Sequence, residues 1–460
     1  MLIYHDYLNN LIKSENKWAE GLKERVLVVD NLTEYAKSLQ WSYRVTLPIS
    51  QLFTQTRQIL DYLTYENDCE NKYDISVIKS ISQLLNKISK RIRVVLNSLD
   101  KEEVKYNECN RVYINQFNIE QERLFTLFKK LKKELTRLMK LPIIRVNHSD
   151  TMLKKMTCFY QLNQQLNSIL NPTADMTYWY VEGEWIETDF YHLHFNSVPL
   201  ILDHSQTDYL SMFKSSYLFS PGDYHFRQLS GSAAILNLDV FNYVSLPKRT
   251  MTEVEKVKVP IEFLPELSRR KEKDLHERQA LSVESLINNQ LIDQSSHILV
   301  ICNSKQAIKQ TYIKLSNQQH MVKKYAILAE GMSGSLAKMH RRVLESDASI
   351  VIIHHHSLIY GHFKTVHSQL QVIVQQLPFL SPNNIQIQAM ADYFIEDQEK
   401  LFDVILLPKM IQSLRELFTY LKQHVDFDSI YLLDGRIFDK YYSHQVREEL
   451  KEIVNFEIKG

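Results

Sequence analysis

LAEGMSGSLAKMHRRVLES (328–346), VIVQQLPFLSPNN (372–384) and LLPKMIQSLRELFTYLK (406–422) followed by SIYLLDGRIFDKYY (429–442) decide how this chain is read. They sit in a region where short apolar runs alternate with stretches of helical period. HILVIC (297–302), KYAILAE (324–330), SIVIIHH (349–355), LQVIVQQL (370–377) and SIYLLD (429–434) are continuous apolar runs, the mark of strands buried on both faces. KQAIKQTYIKLS (305–316), SLAKMHRRVLES (335–346) and LPKMIQSLRELFTYLKQH (407–424) repeat their apolar positions at three and four residues and predict helices. Strands alternating with helices predict a parallel sheet joined by crossovers.

Upstream the texture changes. RVLVVD (25–30) predicts another buried parallel strand, after a short helix at IYHDYLNNLIK (3–13). From about Leu47 to Ile169 the apolar residues keep a helical period: Leu52, Ile59, Leu63, then Ile78, Ile81, Leu85, Ile88, then Leu124, Leu131, Leu135. That pattern predicts a bundle of amphipathic helices, with Asp74 and Asp150 at N-cap positions. TYWYVEGEW (177–185) and FYHLHFNSVPLIL (190–202) alternate, and the runs flanking Glu182-Gly183 predict a hairpin, with SSYLFS (215–220) a short strand. The charged stretch from Pro247 to Glu277 reads as a connector, with a helix starting near Ser268.

Composition narrows the class. At 460 residues the chain has room for two or three domains. With 44% hydrophobic and 24% charged residues it is an ordinary globular sequence. It has no apolar run of about 18 residues, so no membrane span is expected. The start has no basic segment followed by an apolar one, as a secretion signal would. Cys69, Cys109, Cys158 and Cys302 are widely separated, which predicts neither a disulfide framework nor zinc or iron–sulfur ligation and fits a reducing cytoplasm. The net charge is +1, so any nucleic-acid surface is local. Basic clusters stand at KRIR (90–93), KKLKK (129–133), RRKEK (269–273) and KMHRR (338–342), each also explicable as a solvated helix face.

The order of these phrases resembles the DinG family of XPD/DinG-like DNA helicases. IYHDYLNNLIKS resembles the family's NHALLLSDL segment, RVLVVDNLTEY its VVDEAHHL segment, HILVICNSKQAIKQTY its LVLFTSY segment, and SSYLFSPGD stands where it has a TSATL loop. The resemblance implies an α/β fold: two RecA-like parallel-sheet lobes, the first N-terminally truncated, with an all-helical Arch-like insertion. It divides the chain into 1–47 (start of the first lobe), 48–172 (insertion), 173–246 (remainder of the first lobe) and 247–460 (second lobe). It also implies ATP and Mg²⁺ as cofactors, single-stranded DNA as partner, and a part in DNA repair.

The departures from the family pattern bear on activity. GxxxxGK[ST] is absent, and GMSGSLAK (331–338) reads as a tight turn with Ser333 or Ser335 as N-cap. On the resemblance, the DEAH-like position is Asp30-Asn31. Asp30 is the candidate for a Mg²⁺ water, although a strand-end aspartate is the blander reading. Asn31 has no carboxylate to polarise water. The family's arginine-bearing QGFGRLIR helix falls on 416–423, where Glu416, Tyr420 and Gln423 bring no positive charge. Arginine fingers contribute about 10³–10⁵ in rate. Arg415 and Lys422 lie nearby and read as solvated positions.

His354, His355, His356, His362 and His367 replace the family's WEG loop. Two of them would share a strand face, but a metal site is not expected there because no carboxylate or cysteine stands beside them. Asn303, Ser304, Arg341 and Arg342 are the candidate nucleic-acid contacts. Three functions follow. The first is a DinG-related protein deficient in ATP hydrolysis that keeps a binding or docking role, with a separate polypeptide supplying the Walker A half. The second is an active ATP-dependent DNA helicase, alone or completed by a partner carrying the Walker A loop. The third is a non-enzymatic scaffold.

Overall fold

In the computed structural model the described residues are 26–29, 32–66, 72–97, 111–114, 119–140, 150–172, 176–182, 194–203, 213, 215–218, 254–261, 275–291, 297–360, 370–380, 384–394 and 400–459. The chain forms two units, 1–241 with 381–401, and 242–380 with 402–460.

The first unit opens with β1 (Val26–Val29) and α1 (Leu32–Ser42). It continues through β2 (Val45–Pro48), α2 (Ile49–Glu66), α3 (Lys72–Asn97), β3 (Arg111–Ile114), α4 (Ile119–Leu138), α5 (Asp150–Leu170), β4 (Thr177–Glu182), β5 (His194–Pro199) and β6 (Ser215–Leu218). β1 and β6 pair in parallel, as the apolar runs predicted. β2, β5, β4 and β3 form a four-stranded antiparallel sheet; β4 pairs with β5 antiparallel, with Glu182 in the strand opposite His194 rather than in a turn.

Residues 48–172, expected to be all helical, therefore carry a strand as well. Arg111–Ile114 was not legible because four residues are too few to show a period, and β3 gains its stability only by pairing with β4. α5 opens at Asp150, whereas Asp74 lies inside the first turn of α3 rather than before it. The expected helix at 3–13 lies outside the described residues.

The periodic leucines and isoleucines do what their spacing requires. Ile59, Leu63, Ile81, Leu85, Ile88, Leu124, Leu131, Leu135 and Leu166 are buried in one core with Trp179 and Phe195 of the antiparallel sheet. Phe125 meets Trp179 edge-on at 5.1 Å, and Phe128 stacks on Phe195 at 5.3 Å. The Trp179 indole N–H donates to the Ile169 carbonyl at 3.0 Å, which satisfies the one polar atom of that buried ring.

The second unit contains β7 (Glu255–Pro260), α6 (Leu275–Leu286), β8 (His297–Cys302), α7 (Lys305–Ser316), α8 (Gln319–Lys324), β9 (Ala326–Ala329), α9 (Leu336–Leu344), β10 (Ser349–His354), α10 (His355–Tyr360) and β11 (Leu370–Val374). The chain then contributes α11 (Ile385–Phe394) to the first unit, where Tyr393 donates to the Thr177 carbonyl and the Tyr113 hydroxyl donates to Asp392. It resumes the second unit with α12 (Leu407–His424), β12 (Phe427–Leu432), α13 (Arg436–Asp439), α14 (Ser443–Leu450) and β13 (Val454–Lys459).

Seven strands in the order β13-β7-β12-β11-β8-β10-β9 make one sheet, parallel at every pairing. This is the parallel sheet that the alternating runs predicted. Successive residues feed opposite cores. Leu299, Ile301, Val351, Ile353, Val372 and Val374 face α9, α12 and α14. Ile298, Val300, Ile350, Ile352 and Ile373 face α6 and α7. Both faces are covered, which is why these strands carry almost no polar residue.

β7 lies within the charged stretch read as a connector. Its pattern EKVKVP alternates, so Val257 and Val259 are buried while Lys256 stays exposed and pairs with Glu457 at 3.0 Å. The segment 266–274, where a helix was expected to begin, lies outside the described residues.

Candidate nucleic-acid interface

Because all seven strands run the same way, their C-terminal ends meet along one edge of the sheet. Ligands of open parallel sheets bind beyond that edge. Polar residues stand at the C-terminal ends of several strands: Asn303 after β8, Glu330 after β9, His355 after β10, Gln375 after β11, and Asp434 two positions after β12.

These groups are wired to one another. The Asn303 amide donates to the carbonyls of Gln376 at 3.1 Å and Leu377 at 2.9 Å. His354 Nε2 lies 2.8 Å from the Asn303 carbonyl, and its Nδ1 accepts the His356 backbone N–H at 3.2 Å. That pair of contacts puts the ring proton on Nε2. Glu330 accepts the His354 backbone N–H at 2.8 Å and the Ser357 hydroxyl at 2.6 Å. Asp434 accepts the backbone N–H of Leu377 at 2.9 Å and of Arg436 at 3.1 Å, and pairs with the Arg436 guanidinium at 2.6 Å. Burial works against the Arg436 charge, but Asp434 outweighs it and holds the guanidinium above its ordinary pKa.

An aromatic cluster adjoins this edge. Phe379, five residues beyond β11, lies 5.4 Å from Phe402 and 5.8 Å from Tyr442. Arg436 lies over the Phe379 ring at 5.1 Å. Tyr441 meets Tyr442 at 5.4 Å and is 74% exposed, so its ring faces water. The Tyr441 hydroxyl donates to Asp403, and that bond, with a smaller effect of burial, pushes its pKa up to about 12. Burial pushes Tyr442 to about 12 as well.

The candidate residues fall in several places. Asn303 and Ser304 are at the sheet edge, but both have internal duties, since the Ser304 hydroxyl caps α7 by accepting the Ala307 N–H at 3.1 Å. Arg341 and Arg342 are exposed in the last turn of α9. Ser335 caps α9 and Ser333 accepts the Ala329 N–H, so GMSGSLAK is the expected turn, with Gly331 and Gly334 at the positive φ values that disfavour other residues.

Asp30 and Asn31 lie outside the described residues, as do Gly361, His362 and His367. His354 ends β10 while His355 and His356 begin α10, so 354 and 356 do not share a strand face. Glu330 does stand beside this run, against the expectation that no carboxylate does; it arrives from the neighbouring strand, which sequence distance hides. Among the described residues no group of three or more His, Cys, Asp or Glu side chains is placed to hold a metal.

On α12, Glu416 is buried and accepts from Gln412 at 3.2 Å, Tyr420 packs 4.8 Å from the His424 ring, and Gln423 is exposed. These three side chains do not fit a triphosphate, because none offers a cation to its γ-oxygens. Arg415 is buried rather than solvated. It donates to the Glu449 carbonyl and lies 3.6 Å from the Glu449 carboxylate, so its charge is spent inside the unit.

Glu330, Asp434, Arg436, Phe379, Phe402 and Tyr441 were not picked out from the sequence. The polar residue directly after each apolar run was the available signal for the two acids. The aromatic cluster had none, since its members come from separate segments.

No protein-family model matches the chain, and no curated protein sequence matches it. Solved XPD helicase structures are similar to it. The structure of S. tokodaii Xpd4 has a TM-score of 0.49 at 12% identity, over 95% of this chain and 76% of that one. A structure described as XPD helicase has 0.47 at 11%, over 95% and 69%. Another, described as XPD apo, has 0.49 at 9%, over 98% and 79%. All three TM-scores are below 0.5, so the functional argument rests on the residues themselves.

Proposed function

We propose that the chain is a helicase-related protein that binds single-stranded nucleic acid at the C-terminal edge of its seven-stranded sheet and does not hydrolyse ATP on its own. The cluster of Phe379, Phe402, Tyr441 and Tyr442 beside Arg436 carries this reading. Tyr441, whose ring faces water, offers an unstacked base a π-face to stack on, while Arg436 lies over Phe379 with its charge held by Asp434. Deficiency in hydrolysis is supported by Tyr420 and Gln423, which replace charge-stabilising arginines on the resemblance, and by Asn31 at the water-activating position.

The test is a titration of a labelled oligothymidylate at two salt concentrations. The reading expects binding that weakens with salt. No binding even at low salt overturns it and leaves a scaffold. ATP turnover stimulated by the oligonucleotide, and abolished in Asp30→Ala, would establish the active helicase instead.

A docking role has its own support. Parallel sheets are normally covered on both faces. β1 and β6 bury Leu27, Val29 and Tyr35 on one side but leave Val26 50%, Val28 60% and Tyr217 55% exposed on the other. That apolar face suits added strands and a helix from a polypeptide carrying the phosphate loop. Co-expression with such a strand–loop–helix unit should protect Val28 and Tyr217 from hydrogen exchange; unchanged exchange sinks this part.

A further inference from the structure

Outside the sheet edge, the first unit carries a groove between α3 and α4 that encloses about 450 Å³. Its walls are two matched stripes. Lys87, Lys90, Arg91 and Val94 follow i, i+3, i+4, i+7 on α3, and Arg123, Thr126, Leu127 and Lys130 follow the same spacing on α4. The opposite faces of both helices are committed to the core through Ile88, Ile92, Leu124, Phe128 and Leu131. The stripes therefore face outward over a length of about 10 Å, two helical turns.

Among the described residues the lining holds five cations, Lys87, Lys90, Arg91, Arg123 and Lys130, and no acid. Its apolar lining is Val94, Leu127 and the Thr126 methyl, with the stems of the lysines and arginines beside them. Among the described residues no aromatic ring lines it, so they offer no stacking platform of the kind an unpaired base uses. A phosphodiester backbone would pair with Lys87, Lys90 and Lys130 and leave the apolar residues uncovered. An acidic chain with one aliphatic residue at its centre satisfies both.

We propose that this groove docks an acidic peptide segment of a partner protein, one whose aliphatic side chain seats between Val94 and Leu127. The recognition is of the helix-in-groove kind, with a charged rim and an apolar anchor.

The experiment uses the full chain and fluorescence anisotropy with three probes: a labelled Glu/Leu peptide of about twelve residues with leucines at helical spacing, an all-Glu peptide of equal length, and a labelled oligothymidylate. The Glu/Leu peptide should bind more tightly than the all-Glu peptide. Lys87→Glu with Lys130→Glu should weaken it by at least about tenfold. Val94→Asp, an exposed change that leaves every cation in place, should weaken it too while leaving oligothymidylate binding unchanged. Lys90→Glu, at another exposed position, guards against a variant that fails to fold. Peptide affinity unchanged in these variants overturns the proposal, as does equal binding of the all-Glu peptide. Oligothymidylate binding lost in the same variants, with the peptide indifferent, would make the groove a nucleic-acid contact instead.

Discussion

Arg436 Nη2 stands 2.6 Å from Asp434 Oδ2, and the aspartate is fully buried. The same carboxylate accepts the backbone N–H groups of Leu377 and Arg436, so one side chain ties the loop after β11 to the loop after β12. The phrase LLDGRI is conspicuous in the sequence because that tie needs an acid at its third position and a donor two residues later.

Asp434→Ala should therefore be costly. It leaves a largely buried guanidinium and two backbone donors without their acceptor, a change expected to destabilise by about 3 kcal/mol. Urea unfolding read on the second unit's signal would measure it. A midpoint shift equivalent to less than about 0.5 kcal/mol, typical of an ordinary surface substitution, would show that the carboxylate holds nothing.

Tyr441→Ala should weaken oligothymidylate binding by about 1–3 kcal/mol, the usual loss for one base–aromatic stack. Tyr441→Phe keeps the π-face and should bind within about 0.5 kcal/mol of the parent, a change too small to be a lost stack. The pair of variants separates stacking from hydroxyl chemistry. Equal affinity of the alanine variant would remove the aromatic cluster from the interface.

The Tyr441–Asp403 bond makes a prediction in pH. A phenol whose folded pKa rises from 10.0 to about 12 releases its proton less readily than in the unfolded chain. Its stabilising contribution is then complete below pH 10.0 and is lost as pH climbs towards about 12. In Asp403→Ala the main cause is gone, and Tyr441 should titrate close to 10.0. Phenolate absorbance, taken as a difference against Tyr441→Phe, gives that titration. An unmoved curve would mean that the two side chains do not meet in solution.

How much of this could be read in the chain depends on period and length. β8, β10 and β11 were legible because each is an unbroken apolar run buried on two faces. α7 and α12 were legible to the residue, as Lys305–Ser316 and Leu407–His424, because Ser304 and Pro408 punctuate their starts. β3, β7 and β13 were not. They are short, and β7 and β13 carry lysines and glutamates on a partly exposed face, so only their partners make them strands. Arg415 was misread as solvated because the carbonyl and carboxylate that bury its charge belong to Glu449, thirty-four residues away. The candidate interface was half visible. Asn303 and Ser304 sit where strand ends must be, but the aromatic cluster is assembled from three separate segments and has no local signature.

Tyr420 decides the last prediction. On the family resemblance an arginine belongs there. Here the ring packs against the second unit's core and lies 4.8 Å from His424, and burial pushes its hydroxyl's pKa up. Tyr420→Arg would exchange apolar contact for a charge in a half-buried place, beside Glu416, which already accepts from Gln412. The expected outcome is a loss of about 1–2 kcal/mol of stability from the forfeited apolar burial, with no ATP turnover gained, even with Gln423→Arg added. Restoring both charges leaves the water-activating position, Asn31 on the resemblance, without a basic carboxylate. Phosphate release measured with oligothymidylate present is the check. Turnover appearing in the double variant would mean that a working nucleotide site is already there and lacks only its arginines.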